Sequence, residues 1–311
     1  MLGCLRSAGV ADADGKLDGI DFEDARARLE RDGYVILPQL FTPDEVERLR
    51  GSVSGFFERG GVIFQLGRTQ PNAAIECHDI GWLFSDPRVV GVFQQLYGAR
   101  DVMFTGHCDI HQDAFSQWHK DTGKDDGYFD EDCYVPDCRV FKMAIYLQDH
   151  ANGDGMTLMP GTHHNRAWGR TEAGAVPLRS KPGDAVLFDV RIDHRGRLPT
   201  TAEKLLHFAS RGVKRVFGTV FPSLRRPGDV KAMYDANRAW AKLTGQAQRM
   251  SVFFTFAAPD RFGRQFARTN MDRQLKQYVG AAVGAYPPGL VEQLKAQGAE
   301  AYMGEPPAGA R

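Results

Sequence analysis

Apolar and polar residues alternate along this chain in two different rhythms. The first hundred residues carry helical spacing. Asp21 opens a helix that runs to about Arg31, with Asp24 as its capping partner and Phe22, Ala25 and Leu29 along one face. Asp32-Gly33 stops it, and Tyr34-Val35-Ile36-Leu37 reads as a short buried strand. Thr42-Pro43-Asp44-Glu45 is a strong helix start: Thr caps, Pro takes the first turn and Glu reaches back. That helix runs to about Phe57, and residues 86–98 give a third.

From about residue 101 the rhythm changes to short runs rich in β-branched and aromatic residues. Val102–Thr105, Arg139–Leu147, Gly155–Met159, Ala185–Val190, Arg215–Phe221 and Ser251–Phe256 are the expected strands. Clusters of Gly, Pro and Asp separate them. Many short strands broken by turns point to a sandwich or barrel rather than a doubly wound sheet. Residues 228–248 and part of 271–300 read as helix. The expected organisation is a flexible tail over 1–20, one domain over 21–300 with its β core at about 101–256, and a flexible tail over 301–311. The fold class is therefore mainly β with flanking helices.

Composition narrows the choices without making one. Lys plus Arg and Asp plus Glu both number 39, so no basic excess favours nucleic acid or an anionic membrane. No apolar run approaches the ~18 residues of a membrane span. The 5 cysteines are odd in number and scattered, which fits reduced thiols in the cytoplasm better than a disulfide framework. Cys133 and Cys138 lack a second Cys/His pair that would complete a zinc site.

Chemistry enters at Gln117-Trp118-His119-Lys120-Asp121. On extended chain, residues i and i+2 point the same way, so one imidazole and one carboxylate can face a common metal. A second His from elsewhere would complete a two-His, one-carboxylate face that leaves coordination positions open, as suits Fe(II) oxygen chemistry. His-x-Asp alone is weak, because a surface His beside a solvated Asp is commoner. Its context is stronger. Lys142–Asp149 leads to Gly155-Met156-Thr157-Leu158-Met159-Pro160-Gly161-Thr162-His163, and Lys181–Asp189 leads to His194-Arg195-Gly196.

Those ordered landmarks resemble the phytanoyl-CoA dioxygenase family of Fe(II)/2-oxoglutarate oxygenases, over roughly residues 30–225. The resemblance implies a double-stranded β-helix (jelly-roll, cupin-like) core. It implies Fe(II) as the metal, with 2-oxoglutarate and O2 as co-substrates. It makes His119, Asp121 and His194 the catalytic metal ligands. Relatives that halogenate lack the carboxylate, so Asp121 implies hydroxylation with release of succinate and CO2. An Arg after the distal His holds the far carboxylate of 2-oxoglutarate in this family, and Arg215 takes that place after a lengthened interval. Arg211, Arg197 and Arg195 stay open as rivals.

Lys142 and Thr157 are further candidates for the co-substrate, and His107, His111 and Tyr146 for the substrate. His207, in an apolar run, is a rival to His194. His163 and His164 read as structural, and Trp118 as packing beside the site. The acidic stretch Lys124–Asp132 suggests a small polar substrate, a sugar or natural-product intermediate. Two other classes remain: a cupin-like metalloenzyme that does not use 2-oxoglutarate, and a non-catalytic ligand-binding barrel.

Overall fold

The computed structural model describes residues 17–59, 63–64, 67–166, 172–198, 248–277 and 285–304, with Thr201, Arg238, Ala239 and Leu243. The expected strand Arg215–Phe221, nearly all of the 228–248 helix, His207, Arg211 and Arg215 lie outside these residues.

Helix α1 (Phe22–Asp32) begins as expected, with the Asp21 carboxylate accepting from the Asp24 N–H, and ends at Gly33 in the left-handed region. Strand β1 is Tyr34–Leu37. Helix α2 (Pro43–Arg59) carries a reciprocal cap: the Thr42 N–H donates to the Glu45 carboxylate and the Glu45 N–H donates to the Thr42 hydroxyl. Short elements follow: β2 (Ile63–Phe64), β3 (Gly67–Gln70) and α3 (Ala73–Glu76). Helix α4 (Pro87–Tyr97) is capped by Asp86 and closed by Gly98.

Strand β4 (Val102–Gln112) runs well beyond its expected end at Thr105. Gly106, with φ +82°, lets the chain jog without leaving the sheet, and the polar residues that follow face inward rather than into a loop. The remaining strands are β5 (Val140–Tyr146), β6 (Thr157–Met159), β7 (Val176–Pro177), β8 (Ala185–Asp189), β9 (Asp193–Arg195) and β10 (Met250–Ala257). Helix α5 (Arg261–Gln277) starts ten residues before the helical stretch expected from 271. Asp260 starts it, its carboxylate accepting from the Gly263 N–H. Helix α6 is Leu290–Ala296, and β11 is Ala299–Ala301. The fold thus continues past the expected boundary at 300: β11 lies parallel to β4, and the Tyr302 N–H donates to the Phe104 carbonyl.

The strands form two sheets. The larger runs β1-β8-β5-β10-β4-β3-β2, with β11 joined to β4, and the smaller runs β7-β6-β9. Strand alternation divides the large sheet cleanly. Phe141, Met143 and Ile145 of β5, Val252, Phe254 and Phe256 of β10, and Cys108 and Ile110 of β4 join the core under the helices. Val46, Leu49 and Val53 of α2 and Val89, Phe93 and Leu96 of α4 cover them. Aromatic pairs knit this layer, Phe93 stacking on Phe256 at 4.6 Å and Tyr97 on Phe141 at 5.1 Å. The opposite face meets the small sheet through Ala144, Val186, Phe188, Leu158 and Ile192. Cys77, Cys108, Cys133 and Cys138 are buried free thiols. No helix among the described residues is long and apolar enough to cross a membrane.

Phe254 packs against Phe84, Phe93 and Phe256 with no exposure. Phe254→Ala should therefore cost about 3–5 kcal/mol, a transfer loss plus a cavity that rigid neighbours cannot close. Urea unfolding measures it, and a loss below about 1 kcal/mol would refute this account of the layer.

Candidate metal centre

The segment carrying His119 lies directly beside β9. The His119 N–H donates to the His194 carbonyl and the His194 N–H to the His119 carbonyl, both at 2.9 Å. Two residues on, the Asp121 N–H donates to the Val190 carbonyl at 2.7 Å. The chain is extended here, so His119 and Asp121 face the same side and meet His194 there. One ligand-type atom from each of the three lies within 4.8 Å of the others. His194 Nε2 stands 3.3 Å from Asp121 Oδ2, and His119 Nε2 stands 3.7 Å from Asp121 Oδ1.

Both imidazoles are oriented from behind. His119 Nδ1 is 2.7 Å from the Gln117 carbonyl, and His194 Nδ1 is 3.0 Å from the Ile192 carbonyl. A carbonyl only accepts, so each Nδ1 carries the proton and each Nε2 lone pair turns to the centre. Burial, with His194 alongside, pushes the His119 imidazole down to about 4, which keeps it neutral at pH 7. Burial alone would raise the Asp121 carboxyl. The Lys142 ammonium and the imidazoles of His194 and His119 outweigh it and hold Asp121 well below the usual carboxylate range. Two imidazoles and an ionised carboxylate, converging with their lone pairs inward, are a donor set that fits a divalent metal.

Lys120, between the two inward residues, points the other way. Its ammonium donates to the Thr162 carbonyl at 2.7 Å and the Arg191 carbonyl at 2.5 Å, and lies 3.5 Å from Asp193. Arg191 grips Asp189 through two bonds and donates to the Cys133 and Val135 carbonyls. These buried charges fasten the turn before His194 to the segment after Asp121.

The centre opens into a cavity of about 750 Å³. His107, His111 and Tyr146, expected on the substrate side, all line it, as does Lys142. His107 Nε2 pairs with Asp109 at 3.2 Å while Nδ1 meets the Thr255 hydroxyl at 2.9 Å, and His111 Nδ1 meets the Thr69 hydroxyl at 3.1 Å. Lys142 donates to Asp121 Oδ2 at 2.7 Å, so it reaches into the metal centre itself. Thr157 and Arg195, expected beside the co-substrate, are not among the residues that line the cavity. Residue 195 follows inward-facing His194 on the same strand and must face away, and Thr157 is its cross-strand partner. Arg195 instead pairs with Glu172 at 2.8 Å and lies over the Trp118 ring. His163 and His164 each meet the Glu30 carbonyl, remote from the centre.

Several cavity residues escaped the sequence reading. Tyr128 comes from the acidic stretch, Arg249 from just before β10, and Asn270 and Arg273 from α5, while Arg197, a rival co-substrate arginine in the sequence, lines the cavity with them. Phe262, Phe266, Asn270 and Arg273 share one helical stripe, so the signal existed once α5 was placed.

Comparison with known proteins gives a family and a fold. The sequence profile of the phytanoyl-CoA dioxygenase family matches residues 29–203. An L-proline trans-4-hydroxylase of Streptomyces griseoviridis is 27% identical over 170 residues, covering 51% of this chain and 59% of that one. An ectoine dioxygenase of Streptomyces coelicolor is 25% identical over 178 residues, covering 50% of this chain and 54% of that one. The match thus spans little more than half the length of these curated relatives. Among solved structures, a non-heme alpha-ketoglutarate-dependent carbocyclase from nogalamycin biosynthesis overlays with a TM-score of 0.52 at 16% identity, over 77% of this chain and 84% of that one. An epimerase from the same biosynthesis overlays with a TM-score of 0.51 at 14% identity, over 76% of this chain and 82% of that one. At these identities the likeness shows the shared fold, and the two facing antiparallel sheets are its jelly-roll core.

The Lys142–Asp121 pair is buried, and removing its cation strands a carboxylate. Lys142→Met should destabilise the metal-free protein by about 3–5 kcal/mol at pH 7. Because the Asp121 carboxyl is held low by Lys142, the contribution is present above the ordinary carboxylate range and fades as pH falls through the folded value. Denaturant melts across pH, with Lys142→Met/Asp121→Asn alongside, check this. A double variant no more stable than the single one would show that the pair is not the cause.

Proposed function

The chain belongs to the phytanoyl-CoA dioxygenase family, and from that premise we propose that it is an Fe(II)- and 2-oxoglutarate-dependent dioxygenase that hydroxylates an unactivated C–H bond of a small polar substrate. The observation that carries this reading is the convergence of His119, Asp121 and His194 with both Nε2 atoms turned inward. These three would hold the iron. The metal, once bound with 2-oxoglutarate and O2, supplies the oxidising power, and succinate and CO2 are the co-products.

The protein's own part is positioning. The carbonyls of Gln117 and Ile192 fix the imidazole tautomers, and Lys142 keeps Asp121 ionised before metal arrives. A carboxylate in the ligand set leaves no place for a halide, which favours hydroxylation. Tyr146 and Phe253 form an aromatic wall of the cavity. Arg215 is the proposed partner of the far carboxylate of 2-oxoglutarate. The curated relatives are named for L-proline and ectoine, and a cavity of about 750 Å³ lined by His, Asp and Arg suits molecules of that polarity and size.

Under argon, Fe(II) and 2-oxoglutarate together should give the protein a weak visible charge-transfer band. His119→Ala, Asp121→Ala or His194→Ala should abolish it. A band that persists in any one of these removes that residue from the metal shell, and no band in the wild type refutes the 2-oxoglutarate reading.

Arg215→Ala should raise the 2-oxoglutarate requirement by roughly 100-fold while leaving iron affinity near wild type, because a charge-assisted bidentate contact is lost. Titration of both variants decides the assignment: if Arg211→Ala has that effect and Arg215→Ala does not, Arg211 is the anchor.

A further inference from the structure

Helix α5 packs its first turns as core. Phe262 and Phe266 lie fully buried with Tyr128 and Phe129. One and two turns further along the same stripe stand Asn270 and Arg273, and both line the cavity. A stripe that only had to fold against the barrel would stay apolar here. Asn270 is 2% exposed, and among the described residues its Oδ1 has no hydrogen-bond partner. Arg273 has a shielded Nε with no partner among them either, and its guanidinium lies over the Tyr128 ring at 5.3 Å. Among the described residues, no carboxylate pairs with Arg273. A buried amide and a shielded guanidinium nitrogen left unsatisfied are each costly, and groups of this kind are kept where a ligand completes them.

The two groups set complementary demands. A guanidinium takes a carboxylate by parallel N–H bonds, and an amide oxygen takes an N–H or O–H. They reach the cavity beside Tyr128, from the segment that follows Asp121. The wall that carries Lys142 and Ser251 is formed by β5 and β10. We infer that Asn270 and Arg273 form the recognition subsite for the molecule being oxidised, and that this molecule is a small carboxylic acid bearing an amine or hydroxyl close to the carboxylate. The carboxylate seats on Arg273 and the neighbouring donor on Asn270. The inference rests on the proposed oxygenase reading and names its substrate class. The other carboxylate the site would see is the far end of 2-oxoglutarate, so the test separates the two.

Saturation-transfer NMR on the Zn(II)-loaded protein, with and without 2-oxoglutarate, provides that test. The probes are small amino and hydroxy acids, L-proline and pipecolate among them, each paired with its primary amide. In the wild type, acids should bind at least about tenfold more tightly than their amides. Arg273→Gln should erase that preference, Arg273→Lys should keep part of it, and Asn270→Leu should weaken acids that carry the donor more than acids that lack it. Affinity for 2-oxoglutarate, measured by calorimetry, should stay within about twofold in Arg273→Gln, since a lost guanidinium–carboxylate contact would cost far more. Absence of acid binding or of acid preference in the wild type overturns the inference, as does a preference that survives Arg273→Gln. A tenfold or larger loss of 2-oxoglutarate affinity in that variant overturns it too, and makes Arg273 the co-substrate anchor. Wild-type protein that ignores 2-oxoglutarate altogether refutes the oxygenase reading instead, while the acid and amide comparison made without 2-oxoglutarate still decides the subsite.

Discussion

Two reciprocal backbone hydrogen bonds between His119 and His194 set the geometry on which the rest depends. They fix the relative height of two segments that are far apart in sequence. With that height fixed, strand alternation decides everything nearby. His119, Asp121 and His194 turn inward, while Lys120, Asp193 and Arg195 turn away. A slip of one residue would exchange the two sets and destroy the centre. The outward set is accordingly not idle: Lys120 reaches Thr162, Arg191 and the neighbourhood of Asp193, so each segment is held from the back as well as from the side.

Charge is arranged around the same seam. Asp121 is a buried anion that Lys142 compensates, and Asp189 is a buried anion that Arg191 compensates. The two pairs differ in what they leave open. Arg191 spends its donors on Asp189 and two loop carbonyls, so that pair is closed and structural. Among the described residues, no donor takes either Nε2 lone pair of the Asp121 set, so it stays open to a cation. Lys142 then has a double character: it stabilises the anion while the site lacks metal, and it competes for one oxygen once a metal shares it.

The sequence disclosed the centre more fully than the cavity. His119, Asp121 and His194 were legible because a metal face demands few residue types in a strict local order, with turn and strand landmarks between them. The helices of the first hundred residues were legible for a similar reason, since capping at Asp21 and Thr42 is local chemistry. Strand β4 was cut short because Gly106, His107, Asp109 and His111 look like a loop in one dimension. In the fold His107, Asp109 and His111 are the inward half of an alternating strand, polar because the cavity is polar. Nearness in sequence to His194 does not bring Arg195 to the cavity, because neighbours on a strand face opposite ways.

Asn270 and Arg273 show where linear reading stops. Polar residues one turn apart on a helix ordinarily mark its solvated side, and nothing in their spacing distinguishes that case from this one. The distinction is tertiary. Phe262 and Phe266 fix which stripe of α5 faces the barrel, and the helix rise then carries Asn270 and Arg273 along that stripe to the cavity. A metal centre must be built from residues that declare themselves, because coordination geometry admits few alternatives. A substrate subsite has no such restriction: any polar group delivered to the cavity wall can serve, from any element, at any distance along the chain. Folds of this kind can therefore hold one centre constant while the outer helices change what it acts on.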